Sequence, residues 1–158
     1  MGTDKPLASI AELAAALAHE ARVMGLDVGS KTIGLALSDV TRTIASPLVT
    51  LKRGRFRADA RALGRLVEEH GVGGLVIGLP INMDGGEGPR CQSVRQFAAN
   101  LLALLPLPLA FWDERLSSAA VERMLIAADV SRKRRAELDD KLAAAYILQG
   151  ALDAMGRP

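Results

Sequence analysis

Residues 22–50 read RVMGLDVGSKTIGLALSDVTRTIASPLVT, and they decide the fold, because they spell three β-strands joined by two short turns. Residues 22–27 form an apolar run that closes on Asp27, Gly29 and Ser30 supply a turn, and 33–38 is a second run. Polar residues 39–43 turn the chain again before a third strand over 44–50. Turns this short join neighbouring strands antiparallel. Pro47 has no amide hydrogen to give to a ladder, so the third strand is predicted at a sheet edge.

Beyond residue 55 the hydrophobic period changes from that of a strand to that of a helix. Leu63, Leu66 and Val67 share one face of a helix over 56–70, which Gly71 to Gly74 end. The continuous apolar run LVIGL at 75–79 suits a central parallel strand covered on both faces. A glycine-rich loop over 80–89 follows, then a helix over 90–105, a strand over 107–112 and a helix over 117–128. Ser117 is placed to cap that helix. The last helix, 137–155, carries Leu138, Leu142, Leu148 and Leu152. The fold class is therefore α/β, a five-stranded mixed sheet of three antiparallel strands and then two parallel ones, flanked by helices. This is the order of the RNase H-like architecture; it also opens each half of the actin-like ATPases, so order alone does not decide function. Residues 1–21 form an N-terminal helical extension, with Ser9 and Glu12 at capping-box spacing, and 22–155 form the domain proper.

A chain of 158 residues fits one domain. Cys91 is the single cysteine, which excludes an intrachain disulfide and favours a reducing, cytoplasmic setting. No apolar stretch approaches the roughly 20 residues of a membrane span, and Glu12 interrupts the apolar segment 7–17, which reads as an amphipathic helix. The net charge is only +2, but the pI near 9.0 accompanies two local basic runs. One holds Lys52, Arg53, Arg55, Arg57, Arg61 and Arg65; the other is Arg132, Lys133, Arg134 and Arg135, read as a loop ahead of the last helix. Such runs attract polyanions and gain affinity by releasing counterions.

Carboxylates supply the candidate chemistry. Asp27 ends a buried strand, where a charge is costly unless it is paired or bound to a cation. Asp113 and Glu114 close the fifth strand on opposite faces, so one of the two shares a site with Asp27, and Arg115 is free to pair with the other or contact a phosphate. Asp139 and Asp140 open the last helix about 100° apart, so one of them faces inward. Three such carboxylates make an all-oxygen site suited to Mg²⁺ or Mn²⁺ and to two-metal phosphodiester cleavage. Asn82, in the loop after the central strand, lies where α/β folds hold ligands. Gly29-Ser30-Lys31-Thr32 is not a P-loop, because Ser30 separates glycine from lysine and the segment runs into a strand. His19 and His70 lack partners at zinc spacing.

The blocks Gly25-Leu26-Asp27-Val28-Gly29, Lys31-Thr32-Ile33-Gly34, Ser38-Asp39, Gly78-Leu79-Pro80 with Met83-Asp84-Gly85, Asp113-Glu114-Arg115-Leu116-Ser117, and Asp140 with Ala143-Ala144 and Ile147-Leu148 resemble the YqgF family, also called RuvX. The resemblance spans about 23–152. It implies an RNase H-like fold and a cytoplasmic nuclease acting on precursor 16S ribosomal RNA. Asp27, Glu114 and Asp140 would be its catalytic, metal-binding carboxylates; the residues' own charge and loop positions make Lys31, Asn82, Arg115, Arg132, Lys133, Arg134 and Arg135 the expected nucleic-acid contacts. The strand 75–79 lacks the acidic residue of RuvC-type resolvases, which weighs against cleavage of branched DNA. Branched DNA as substrate, a homodimer, and a non-catalytic RNA-binding role in ribosome assembly or transcription stay open. An actin-like ATPase would need two such domains.

Overall fold

The computed structural model describes residues 5–116 and 132–156, with the backbone alone over 132–140. Its elements are α1 (Ile10–Ala16), β1 (Arg22–Val28), β2 (Thr32–Ser38), β3 (Ala45–Lys52), α2 (Phe56–His70), β4 (Val72–Leu79), α3 (Pro89–Leu104), β5 (Leu109–Asp113), a 3₁₀ turn (Glu114–Leu116) and α4 (Arg132–Met155). One sheet has the order β3-β2-β1-β4-β5. β1, β2 and β3 pair antiparallel, and β4 and β5 continue the sheet in parallel. The expected mixed sheet is present, and β3 is its edge. Pro47 lies exposed on β3 opposite Ala36, beside a register shift between Leu35 and Ala36. The helix expected over 117–128, with its Ser117 cap, lies outside the described residues.

Alternation along each strand divides the core in two. Met24, Leu26 and Val28 of β1 join Leu75, Ile77 and Leu79 of β4 beneath α2 and α3, where Leu63, Val94, Phe97, Ala98 and Leu101 are buried. Val23 and Val76 face the other way, toward Ala144, Ala145, Ile147 and Leu148 of α4. α4 lies very close to the sheet because β1 has glycine beneath it. A Cβ on Gly25 would stand 2.7 Å from the Leu148 Cβ and 3.0 Å from the Ala144 carbonyl oxygen.

Strand ends shift by one or two residues from expectation at β3 and β5, and two boundaries differ by more. β4 begins at Val72, so only Gly71 ends α2, with φ 65° and its N–H donated to the Val67 carbonyl. Gly73 and Gly74 are strand residues, small because Ala21 and Leu17 pack directly over them. α4 begins at Arg132, so the basic run 132–135 forms its first turns rather than a loop. Arg and Lys are good helix formers, and no glycine or proline separates them from Glu137. The N-terminal segment is bound to the domain. The Leu7 N–H donates to the Leu109 carbonyl at 2.7 Å, and Leu13 is fully buried. Ser9 accepts from the Glu12 N–H at 3.1 Å, while the Glu12 carboxylate accepts from the Ala8 N–H at 3.0 Å.

Gln149 fixes α4 along the sheet. Its Oε1 accepts from the Ala45 N–H and its Nε2 donates to the Thr43 carbonyl, both at 2.9 Å. Ala45 pairs with Ser38, whose hydroxyl accepts from the Val23 N–H at 2.9 Å, so Gln149 sits beside the start of β1. Truncation would leave two backbone groups without their partner. Gln149→Ala is expected to lower unfolding stability by about 1–2 kcal/mol, read from urea denaturation with an unchanged m-value.

Candidate active site

Asp27 follows Val23 and Gly25 on the α4 face of β1. The pairing Leu26↔Ile77 is the last between β1 and β4, and one residue further along each strand stand Asp27 and Gly78. A Cβ on Gly78 would lie 2.7 Å from Glu114 Oε1, so the Glu114 carboxylate rests on the residue beside Asp27. Glycine at 78 is what leaves it room. Partial burial pushes the Glu114 carboxyl above the usual range. The negative charge of Asp27 pushes it further, Arg90 opposes the shift, and Asp113 adds to it. Two carboxylates thus meet at the carboxyl edge of the two central strands.

Asp113 points elsewhere. Its carboxylate accepts from Arg115 Nε at 3.0 Å and Nη2 at 2.7 Å, and from the Arg115 backbone N–H at 3.0 Å. That guanidinium holds the Asp113 carboxyl below its ordinary range. Arg115 Nη1 also donates to the Asn82 carbonyl at 3.4 Å. Asn82 belongs to a tight turn: Gly85 and Gly86 fold back on it, with φ 91° at Gly85, and the Gly86 N–H donates to Asp84 at 2.8 Å. Asp113 and Arg115 therefore latch the 82–86 turn to the end of β5. Of the Asp113/Glu114 pair, geometry brings Glu114 to Asp27.

Asp140 is placed by helical register. Gln149 lies at the start of β1, so α4 runs opposite to β1. Ala144 sits over Gly25. Four helical residues earlier is about 6 Å, and two strand residues later is about 6.6 Å, which brings position 140 level with Asp27. The side chains of Asp139, Asp140 and the basic run Arg132, Lys133, Arg134 and Arg135 are outside those described. Among the described residues no group of three acidic, histidine or cysteine side chains is close enough to hold a metal ion.

Beside the acid pair opens a groove of about 580 Å³, lined by Lys31, Thr32, Arg53, Arg90, Ser93 and neighbours. Lys31 is exposed in the β1–β2 turn. Arg53 Nη1 donates to the Gly29 carbonyl at 2.6 Å, and its guanidinium lies 5.2 Å from the centre of the Phe97 ring. Arg53 belongs to the first basic run read from the sequence, whereas Arg90 and Ser93 were not singled out. The available signal was Pro89-Arg90 opening a helix straight after the glycine-rich loop, since a helix start at a strand's carboxyl end favours anions.

A family profile described as "RuvX: Holliday junction resolvase" matches residues 21–154. The chain belongs to the RuvX family. Similar RuvX relatives are named "Putative pre-16S rRNA nuclease". That of Paramagnetospirillum magneticum is 64% identical over 148 residues, covering 94% of this chain and 96% of the relative. That of Paracoccus denitrificans is 56% identical over 147 residues, covering 93% of each. Among solved structures, T. thermophilus RuvC in complex with a Holliday junction substrate superimposes with a TM-score of 0.51 at 17% identity, over 86% of this chain and 96% of that one. The fowlpox virus resolvase in its junction complex gives 0.52 at 10% identity, over 86% and 99%. At such identities the likeness is one of fold, and the fold is RNase H-like, as the strand order predicted.

Proposed function

We propose that the chain is a divalent-metal-dependent nuclease that cleaves precursor 16S ribosomal RNA in the cytoplasm. The observation that carries this reading is the meeting of Asp27 and Glu114 at the carboxyl edge of β1 and β4. A carboxylate whose proton affinity is raised by burial and by a second carboxylate beside it is a poor resting arrangement without a cation, and an all-oxygen donor set suits Mg²⁺ or Mn²⁺. Asp140, level with them by register, would complete the ligand set. A divalent cation held there supplies positive charge to the phosphate and lowers the pKa of bound water.

The chain's own residues do the rest. Asp27 and Glu114 orient the attacking water opposite the leaving oxygen. Lys31 and Arg90 draw flanking phosphates into the groove, and Gly78 keeps the space beside Asp27 open for the Glu114 carboxylate. The Asp113–Arg115 latch holds the 82–86 turn at the rim. The names of close relatives support ribosomal RNA as substrate, whereas the family description and the structural neighbours point to branched DNA. Incubation with precursor 16S RNA and with a four-way DNA junction, each in Mg²⁺, Mn²⁺ or EDTA, separates them. Metal-dependent cleavage of the RNA is expected. Cleavage of the junction alone would make the chain a resolvase, and cleavage of neither would leave a binding factor.

A further inference from the structure

On the sheet face opposite α4, a second groove of about 670 Å³ lies between α2 and α3, lined by Arg57, Arg61 and Arg65 over Ala60, Gly64 and Leu105. All three arginines are exposed, and among the described residues no carboxylate forms an ion pair with any of them. Glu68, at the far end, is the opposing charge in the lining. Their spacing is i, i+4, i+8, so they form one stripe along the helix. Like charges at that spacing repel and weaken a helix. Among the described residues no carboxylate is ion-paired with the stripe, and Glu68 and Glu69 stand only beyond its far end, which is the arrangement expected of a surface that receives an anion.

The stripe also starts close to the groove beside the acid pair. Arg53 lines that first groove and stacks over Phe97. Phe97 packs edge-on against Phe56 with ring centres 5.5 Å apart, Phe56 opens α2, and Arg57 follows it. Cationic side chains therefore run from Lys31 and Arg90 through Arg53 to Arg57, Arg61 and Arg65. Each step along the stripe is about 6 Å, close to the separation of neighbouring phosphates on one strand.

We propose that the α2–α3 groove binds a nucleic-acid strand flanking the cleavage point, with Arg57, Arg61 and Arg65 each meeting a phosphate. This deepens the nuclease reading and rests on it for the position of the cut. The partner is a polynucleotide backbone, since the stripe is linear, cationic up to Glu68 at its far end, and begins four residues after Arg53 of the groove beside the acid pair. The contacts are to phosphate, so they add affinity in proportion to strand length without sequence preference.

The test is R57Q/R61Q/R65Q; glutamine keeps helix propensity, and circular dichroism confirms the fold. Affinity is measured in EDTA against salt, for a short RNA that covers only the acid pair and its groove and for the same RNA extended by a single-stranded flank. For the long RNA, loss of three contacts should lower the slope of log K against log salt by about 2, which makes the wild-type advantage shrink about 20-fold between about 50 and about 200 mM salt. Binding and metal-dependent cleavage of the short RNA should not change. An unchanged slope on the long RNA, or equal losses on both lengths, overturns the proposal. So does competition by polyglutamate as strong as that by unlabelled RNA, which would make the groove a protein-docking surface. Wild type that cleaves nothing in Mg²⁺ or Mn²⁺ overturns the nuclease reading instead, while the length comparison in EDTA still decides the groove.

Discussion

Asp27→Asn is expected to reduce metal-dependent RNA cleavage by at least about 100-fold, because even residues one shell outside a metal's ligands cost about 10–100-fold when changed. Binding measured in EDTA should persist or tighten slightly. The two outcomes diverge because, without metal, the acid pair repels phosphate, and attraction comes from the cationic groove of Lys31, Arg53 and Arg90. Glu114→Gln should behave in the same way, with an added signature in stability. Burial and Asp27 raise the folded-state pKa of Glu114, so the folded chain binds that proton more tightly than the unfolded chain does. Its contribution is present in full at low pH and is lost as pH rises through the folded pKa, leaving the charged carboxylate a liability at neutral pH. Glu114→Gln should therefore raise the melting temperature in EDTA at pH 7, and the gain should vanish below pH 4. Asp113→Asn removes an acid from the same stretch but not from the acid pair. It should loosen the 82–86 turn and leave measurable cleavage. Equal losses in Asp113→Asn and Glu114→Gln would mean that the latch, not the acid pair, governs activity.

Much of this site was legible because strand alternation is a strict rule. Asp27 ends an apolar run, and a residue two positions past Gly25 must share its face. Alternation also limited Asp113 and Glu114 to one occupant of the site. What it could not decide was which one, because that depends on where β5 stops and the 3₁₀ turn begins. Asp39 shows the converse. It was read as turn chemistry, and its carboxylate does accept from the Thr43 and Ile44 N–H groups at 2.8 and 3.1 Å, with a pKa held at about 2 by the Thr41 hydroxyl first and by those two bonds next. The early start of β4 was hidden because Gly73 and Gly74 have poor strand propensity. They are tolerated where Ala21 and Leu17 require small residues beneath them. That Arg53 and Arg90 share one groove was hidden for another reason: they come from a strand end and a helix start far apart in sequence, and only the packing of α3 beside the β1–β2 turn makes them neighbours.

Gly25→Ala should be the most damaging single substitution in the fold, and its failure should be instructive. The added methyl would stand 3.0 Å from the Ala144 carbonyl oxygen and 2.7 Å from the Leu148 Cβ, which are backbone and the side-chain carbon attached to it rather than flexible chain ends. Neither can step aside, so α4 as a whole must move off the sheet. Overpacking of this kind costs about 1–3 kcal/mol, and lifting a helix that buries Ala144, Ile147 and Leu148 should place the cost at or beyond the upper end. Gly78→Ala makes the informative contrast. Its methyl would collide with the Ile147 Cδ1 at 2.4 Å and Cγ1 at 2.9 Å, the outer part of a flexible side chain, and with Glu114 Oε1 at 2.7 Å. Ile147→Val removes Cδ1 and should restore part of the stability of Gly78→Ala, but it leaves Cγ1 and the Glu114 carboxylate in place. The double variant is then expected to melt above Gly78→Ala while cleaving RNA poorly, because the displaced Glu114 carboxylate no longer meets Asp27. Recovery of stability and activity together would show that Glu114 tolerates displacement, and that the pair need not be held over a glycine at all.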